Sequence, residues 1–322
     1  MADVKNMKFL KVNNFKKISG DASYRTFYRG KQSILVFSKK DKQKNLLVYD
    51  AINKILIKNK IPAPKLISEK YKKNYIEIQD LGNTQILKLI KKSKKKLKIY
   101  KGIIKLLMKM QKIKKTEINN FNGNKYKIPY YSKKYILNEA NLFFDWFIST
   151  YVKSLNNLHN KKKFKYIVNR LIDNLTLPNE KFVHRDFHIS NIMIHKKKLY
   201  LIDNQDAVIG NTTYDLASLI DDVRFKTSNK LKDKIYSYYI TKNFNKFNID
   251  DFKNDFDILS VLRNLKILGI FTRLAKRDNK KKYLKMLPYC WKLIQNRIDD
   301  QKIFKDLKIF LKKKEFRKYI EL

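Results

Sequence analysis

The stretch Phe182-Val183-His184-Arg185-Asp186-Phe187-His188-Ile189-Ser190-Asn191-Ile192-Met193-Ile194, continued by Leu199-Tyr200-Leu201-Ile202-Asp203, holds the one dense cluster of His, Asp and Asn in the chain. Ile192 to His195 and Leu199 to Ile202 are short apolar and β-branched runs joined by Lys196-Lys197-Lys198, which predicts a β-hairpin. Such a hairpin sets Asn191, just before its first strand, beside Asp203, just after its second. Two oxygen-bearing side chains at one hairpin end suit a hard cation such as Mg²⁺, which takes one or two carboxylates and completes its shell with water and phosphate. Asp186, five residues before Asn191, then lies in the loop above the metal, where it can accept a proton from a substrate hydroxyl.

Working outward, the first eighty residues predict strand, strand, helix, strand, strand. Tyr24 to Arg29 and Ser33 to Phe37 flank Gly30-Lys31-Gln32, a hairpin in which Gly30 is expected to supply the turn. Leu46, Leu47, Ala51, Ile52, Ile55 and Leu56 recur at helical spacing until Ile61-Pro62-Ala63-Pro64, and Lys65 to Ser68 with Asn74 to Gln79 form a second strand pair. Beyond Asp80-Leu81-Gly82-Asn83 the apolar spacing becomes helical, over Ile86 to Ile90, Tyr100 to Met110 and Tyr135 to Leu158. From Leu231 to Leu322 it is helical again. The helix around Ile258 to Leu274 is expected to bury one face and to present Arg263, Lys266, Arg273 and Arg277 on another. The fold expected is α+β and two-lobed. A small β-rich N-terminal lobe (residues 1–80) leads through a hinge (81–84) to a large, mainly helical C-terminal lobe (85–322) with its catalytic loop at 182–206.

The 322 residues carry 74 Lys and Arg against 29 acids, a formal charge of +45. A field of that size attracts polyanions, yet only 10 of the cations are Arg, the residue suited to bidentate phosphate and guanine contacts. Lys runs such as Lys91 to Lys98 read as solvated surface, so no specific nucleic-acid partner is expected, and a basic nucleic-acid-binding protein stands as the remote alternative. A single cysteine, Cys290, fits a reducing compartment. The N-terminal residues lack a signal-peptide run, and the most apolar helix is interrupted by Arg263, Lys266 and Arg273. A cytoplasmic protein without a membrane association is therefore expected. The sequence carries no signal for an oligomeric state.

His184-Arg185-Asp186 followed at the fifth position by Asn191 and later by Asp203 resembles the kinase catalytic signature. His188 stands where protein kinases carry Lys, and the H-x-D-x-H-x-x-N pattern is similar instead to the aminoglycoside phosphotransferase and choline kinase-like superfamily. The continuation Tyr214-Asp215-Leu216-Ala217 agrees. Gly20-Asp21-Ala22-Ser23-Tyr24-Arg25-Thr26-Phe27-Tyr28-Arg29, Ile78-Gln79-Asp80-Leu81-Gly82, Ile202-Asp203-Asn204-Gln205-Asp206-Ala207 and Arg263-Asn264-Leu265-Lys266-Ile267-Leu268-Gly269 look like the bacterial cell-wall sugar kinases. Those enzymes phosphorylate the anomeric hydroxyl of N-acetylmuramate and N-acetylglucosamine in peptidoglycan recycling.

The resemblance implies ATP and Mg²⁺ as cofactors and a small-molecule sugar as acceptor, with aminoglycoside, choline or another small-molecule kinase as the alternative. It implies Asp186 as the group that orients or deprotonates the hydroxyl, and Asn191 and Asp203 as metal ligands. It places the backbone of Gln79, Asp80 and Leu81 at the adenine edge, and the loop of Gly20, Asp21, Ala22, Ser23 and Tyr24 over the phosphates. His188 is either a donor near the transferred group or a structural loop histidine. His184 and Asp215 support the loop. Asp206 and Arg263 are candidate sugar contacts, the carboxylate for hydroxyls and the guanidinium for a lactyl carboxylate, the alternative for Arg263 being a helix-surface cation. Two departures stand out: the strand position of the usual phosphate-gripping Lys falls at Val36 or Phe37, leaving Lys39 or Lys40 either to reach the phosphates from the strand end or, the favoured reading, to face solvent. The family's Phe between Asp203 and Gln205 is Asn204.

Overall fold

A computed structural model describes residues 15–18, 25–299, 301–312 and 315–316. Two compact units divide them by their contacts, one formed by Met1–Pro129 with Ile189–Val208 and the other by Tyr130–His188 with Ile209–Leu322. An N-terminal β-sheet lobe and a larger, mostly helical part make the two-lobed, kinase-like fold expected from the sequence.

In chain order the first unit contributes β1 (Lys16–Ile18), β2 (Thr26–Arg29), β3 (Ser33–Phe37), α1 (Lys44–Lys58), β4 (Leu66–Lys70), β5 (Tyr75–Gln79), α2 (Ile86–Lys92), α3 (Lys96–Met110), β6 (Glu117–Asn119) and β7 (Lys125–Lys127). The five-stranded sheet runs β1-β2-β3-β5-β4 with antiparallel neighbours. Alternation along β3 sorts its side chains: Val36 packs with Leu46 and Tyr49 of α1 and with Ile76 and Ile78, while Leu35 turns to Tyr75 on the opposite face. Strand β1 was not legible in the sequence. Gly30 supplies the turn as expected, its N–H donating to the Ser33 carbonyl (2.9 Å), but without a positive φ; a Cβ there would come within 2.5 Å of the Phe15 ring, so the glycine answers to a close approach.

The second unit begins with α4 (Lys133–Leu142), α5 (Leu158–Asp173) and β8 (Asn179–Val183). The chain then returns to the first unit for β9 (Ile192–His195) and β10 (Lys198–Leu201). It closes with β11 (Val208–Asn211), α6 (Tyr214–Ile220), α7 (Asn229–Lys242), α8 (Ile249–Lys276), α9 (Leu287–Ile298) and α10 (Lys305–Leu311). The single helix expected from Tyr135 to Leu158 is corrected here. Helical backbone continues α4 through a wide π-type turn at Phe143–Ile148 to Tyr151 and stops at Val152, and Leu158 opens α5, fully on the surface. The wide turn faces α8, where Gly269 lets two backbones touch. Phe143, Phe144, Phe147 and Ile148 bury there, with Phe143 stacked on Phe147.

Helix α8 also departs from expectation. It is buried on nearly all sides from Asp255 to Ala275, and Arg263 and Lys266 are buried with it rather than lying on a basic surface face. A helix hydrophobic on every side belongs in a core, and its few charges then need partners. Its polar anchor is Asp221, which accepts from Lys232 (2.7 Å), Ser260 (2.6 Å) and Arg297 Nε (3.1 Å). Among the described residues no helix is long and apolar enough to cross a membrane.

Two outcomes test this packing. A methyl group at Gly269 would lie 2.2 Å from the backbone carbonyl carbon and oxygen of Leu142. Overpacking costs about 3 kcal/mol against about 1 kcal/mol gained in helix propensity, so Gly269→Ala should lower stability by about 2 kcal/mol in a denaturant titration. Burial pushes the Asp221 carboxyl up, but Arg297 and Lys232 outweigh it and bring it down to about 2. The folded chain therefore holds fewer protons than the unfolded one between about pH 4 and pH 2. The contribution of Asp221, about 2 kcal/mol, is present above that window and lost as the pH falls through it. Asp221→Asn should flatten the acid limb of the stability profile.

Candidate active site

In the first unit the hairpin β9–β10 forms as the sequence predicts. Ile192 pairs with Leu201 and His195 with Lys198, and Lys196 and Lys197 turn the chain with positive φ. Both edges are tied down: the Ile194 N–H donates to the Thr84 carbonyl (2.8 Å) and the Leu201 N–H to the Pro62 carbonyl (2.9 Å). At the open end the Ile202 N–H donates to the Asn191 carbonyl (3.1 Å), which sets Asn191 against the residue preceding Asp203. Asp203 itself is left-handed (φ 64°), a conformation Asp tolerates, and it turns the chain into the short 3₁₀ turn Asn204–Asp206.

A cation absent from the sequence-based site meets Asp203. Arg25 donates from Nη2 to Asp203 Oδ1 (2.5 Å) and from Nη1 to Gln205 Oε1 (2.9 Å), with its guanidinium over the rings of Phe27 and Tyr49. The Arg25 side chain is 3% exposed and that of Asp203 40%. Gln205 Nε2 also donates to Asp203 Oδ1 (3.2 Å), so both described bonds of the carboxylate fall on that one oxygen. Among the described residues no group of three or more His, Cys, Asp or Glu side chains could hold a metal. A cation held by Asn191 and Asp203 would therefore draw further oxygens from water and a bound phosphate, a set that fits Mg²⁺ with a nucleotide. Asn204 donates to Asn53 Oδ1 of α1 (2.8 Å) and to the Leu201 carbonyl (3.1 Å).

Directly after β5, Asp80 spends its carboxylate on structure. It pairs with Arg29 (Nε to Oδ2, 2.7 Å) and accepts the Gly82 N–H (2.8 Å), holding a turn in which Gly82 takes φ 77°. Leu81 is buried beside it. Gln79 closes the pairing of β3 with β5 opposite Ser33, and its N–H donates to the Lys65 carbonyl. Lys39 and Lys40 are exposed. Asp206 is exposed as well and accepts from Gln205 (2.7 Å). Gly20, Asp21, Ala22, Ser23 and Tyr24 lie outside the described residues.

In the second unit the loop after β8 is held from below. Asp215 of α6, wholly buried, accepts the His184 N–H (2.7 Å) and the Arg185 N–H (3.0 Å), and the Asp186 N–H donates to His184 Nδ1 (3.3 Å). Arg185, at φ 71°, turns its guanidinium away from the loop onto Glu139 and the Tyr135 ring. Lys266 of α8 pairs with the same carboxylate (2.7 Å). Burial would raise the Asp186 carboxyl, but Lys266, Arg263 and Arg185 outweigh it and hold it well below the usual carboxylate range. Burial and the nearby Arg224 push His188 well below its ordinary value, so its ring is neutral at pH 7. Arg263 is 3% exposed, and its Nη1 is buried with no hydrogen-bond partner among the described residues.

The second unit thus gathers His184, Asp186, His188, Asp215 and Arg263, and the first holds Asn191, Asp203, Asp206 and Gln79 to Leu81. Arg25, Glu139, Arg224 and Lys266 were missed as members of these groups. For Arg25 and Lys266 a signal existed: each is a cation set among apolar or aromatic residues, where an unpaired charge would be too costly to leave.

Residues 14–246 match the model of a phosphotransferase enzyme family, APH. Curated relatives include the N-acetylmuramate/N-acetylglucosamine kinase of Neisseria meningitidis serogroup B, 24% identical over 280 residues that cover 84% of this chain and 81% of the relative. That of Pseudomonas aeruginosa is 22% identical over 288 residues, 87% and 82% of the two chains. Of solved structures, a choline/ethanolamine kinase family protein from Mesorhizobium loti matches with a TM-score of 0.59 at 12% identity, over 100% of this chain and 98% of that one. The gentamicin complex of the aminoglycoside phosphotransferase APH(2")-IIa gives 0.62 at 14%, over 91% and 98%. At these identities the structural likeness concerns the fold.

The Asp215 clamp has a pH signature. Burial raises its carboxyl to about 6, against the lowering effect of His184 and the two backbone N–H groups. Above that pH the carboxylate accepts both N–H groups, and below it protonation weakens the hold on the loop carrying Asp186. Turnover should fall as the pH drops through about 6, and Asp215→Asn should reduce turnover and remove that limb of the profile.

Proposed function

The chain belongs to the phosphotransferase enzyme family matched by residues 14–246, and on that premise we propose that it transfers the γ-phosphoryl group of ATP to the anomeric hydroxyl of N-acetylmuramate or N-acetylglucosamine. It is an ATP-dependent small-molecule kinase of the aminoglycoside phosphotransferase and choline kinase superfamily; the sugar is the proposed part.

The observation that carries the choice of acceptor is the charge around Asp186. Lys266 and Arg185 share one carboxylate, Glu139, while Arg263 and Arg224 bring further positive charge to Asp186 and His188. Cationic surroundings disfavour a polycationic aminoglycoside or a quaternary ammonium group and favour a neutral or acidic sugar. The curated relatives' names point the same way.

In this reading Asp186 accepts the hydrogen bond of the acceptor hydroxyl and aims its oxygen along the line of transfer. A carboxylate held below the usual range is a weak base, and phosphoryl transfer through a loose transition state needs the nucleophile deprotonated only late. Orientation is accordingly its main task. Asn191 and Asp203 would hold Mg²⁺, which when bound neutralises the phosphate charge. Neutral His188 donates a hydrogen bond toward the transferred group, the Gln79 to Leu81 backbone meets the adenine edge, and Gly20 to Tyr24 cover the phosphates. Asp206 and Arg263 contact the sugar, His184 and Asp215 hold the loop.

An acceptor screen with ATP and Mg²⁺ tests the reading, covering N-acetylmuramate, N-acetylglucosamine, other hexoses, choline and an aminoglycoside. The N-acetylated sugars should be phosphorylated, and Asp186→Asn should lower turnover by about 10²-fold or more. Phosphorylation of choline or the aminoglycoside in place of any sugar would overturn the acceptor, and equal turnover by Asp186→Asn would overturn the role of Asp186.

A further inference from the structure

We propose that Arg25 is the phosphate-binding cation of this chain, held ready on Asp203 until nucleotide and metal arrive. The inference rests on the kinase reading of the fold and adds a residue to it. The strand position where a phosphate-gripping Lys is expected is filled by apolar Val36 or Phe37, and the exposed Lys39 and Lys40 beyond it are solvent-facing. Helix α1 offers no acid to partner such a lysine, since Asp50 pairs with Lys54 within the helix (2.8 Å) and the next turn presents Asn53 to Asn204. The buried cation in this part of the first unit is Arg25, which enters from the start of the neighbouring strand β2. In sequence it directly follows the Gly20 to Tyr24 stretch that the resemblance assigns to the phosphates.

Its geometry suits an anion other than Asp203. The guanidinium carbon lies over the Phe27 and Tyr49 rings, 5.6 and 5.4 Å from their centroids, contacts that favour a cation and restrict where it can move. Asp203 Oδ1 receives Nη2 of this buried fork, yet the carboxylate is 40% exposed. An Asp203 carboxylate engaged by a metal loses most of its attraction for the guanidinium, and phosphate oxygens brought with that metal present the fork-matching anion instead. Arg25 then serves two states: it neutralises Asp203 in the empty chain, where an unpaired carboxylate would repel the triphosphate, and it meets the phosphates in the loaded one. A structural role alone would leave nucleotide affinity unmoved once the fold is intact.

ADP binding by the full chain, titrated calorimetrically with and without Mg²⁺ and accompanied by melting temperatures, decides the matter. Arg25→Met keeps the stem and removes the charge; metal-free ADP should bind about 10- to 100-fold more weakly. Arg25→Lys should recover part of that loss. Asp203→Asn, which releases Arg25 from its ion pair, should bind metal-free ADP more tightly than the parent while losing the gain from Mg²⁺. Unchanged metal-free ADP affinity in a folded Arg25→Met chain overturns the proposal. Should that variant not fold, unchanged metal-free affinity in Asp203→Asn overturns it equally. Failure of the parent chain itself to bind ADP would instead strike the kinase reading beneath it.

Discussion

A carboxylate with no access to solvent, Asp215, accepts the backbone N–H groups of His184 and Arg185, and the position of Asp186 depends on that grip. Backbone donors at the mouth of a loop would otherwise be satisfied by water, which fixes no geometry. Two bonds to one rigid carboxylate allow the loop a single arrangement. Arg185 is driven left-handed and its side chain anchors in Glu139, so the following residue is presented from a strand end held on both sides. The network continues to Lys266 of α8 through the same Glu139, which is why a helix buried on nearly every side can carry a lysine. Site and core are therefore one construction in this unit.

The first unit solves a parallel problem with a hairpin. Ladder bonds between β9 and β10 set the register, and the ties to Thr84 and Pro62 keep both strands in place. A one-residue slip would exchange every side chain between faces, so these ties are what keep Asn191 opposite the approach to Asp203. The Asn204 side chain then joins the hairpin to α1 through a buried hydrogen bond to Asn53.

Strand pairs, the β9–β10 hairpin and most helices were legible because their apolar spacing is strong and their breakers are plain, as at Ile61-Pro62-Ala63-Pro64. The nearness of Asn191 to Asp203 was legible because the hairpin register fixes it. Less was legible wherever the deciding contact is distant in sequence. The wide turn at Phe143–Ile148 depends on Gly269 more than a hundred residues away, and nothing local distinguishes it from a continuing helix. Arg263 and Lys266 were placed together on one basic face because the pattern of α8 alternates charges with apolar residues, whereas both are buried, Lys266 on Glu139. Arg25 was passed over amid seventy-three other cations, since composition hides a functional cation in a chain of +45.

That excess charge sorts itself once burial is considered. The buried cations among the described residues are Arg25, Arg185, Arg263, Lys232 and Lys266, so a residue type supplying 10 of the 74 basic positions supplies three of these five. A planar, weakly hydrated guanidinium loses less on leaving water than an ammonium does and matches carboxylates in two directions at once. The lysines that make up the remainder stay solvated and contribute a diffuse field, screened beyond about 8 Å at physiological salt. Anions are thus drawn toward the whole surface but discriminated only where arginine is buried, on Asp203 in one unit and around Asp186 in the other. Two separate acidic groups, each with a buried cation beside it, are what a phosphoryl-transfer enzyme needs if one is to meet the metal and the other the acceptor hydroxyl.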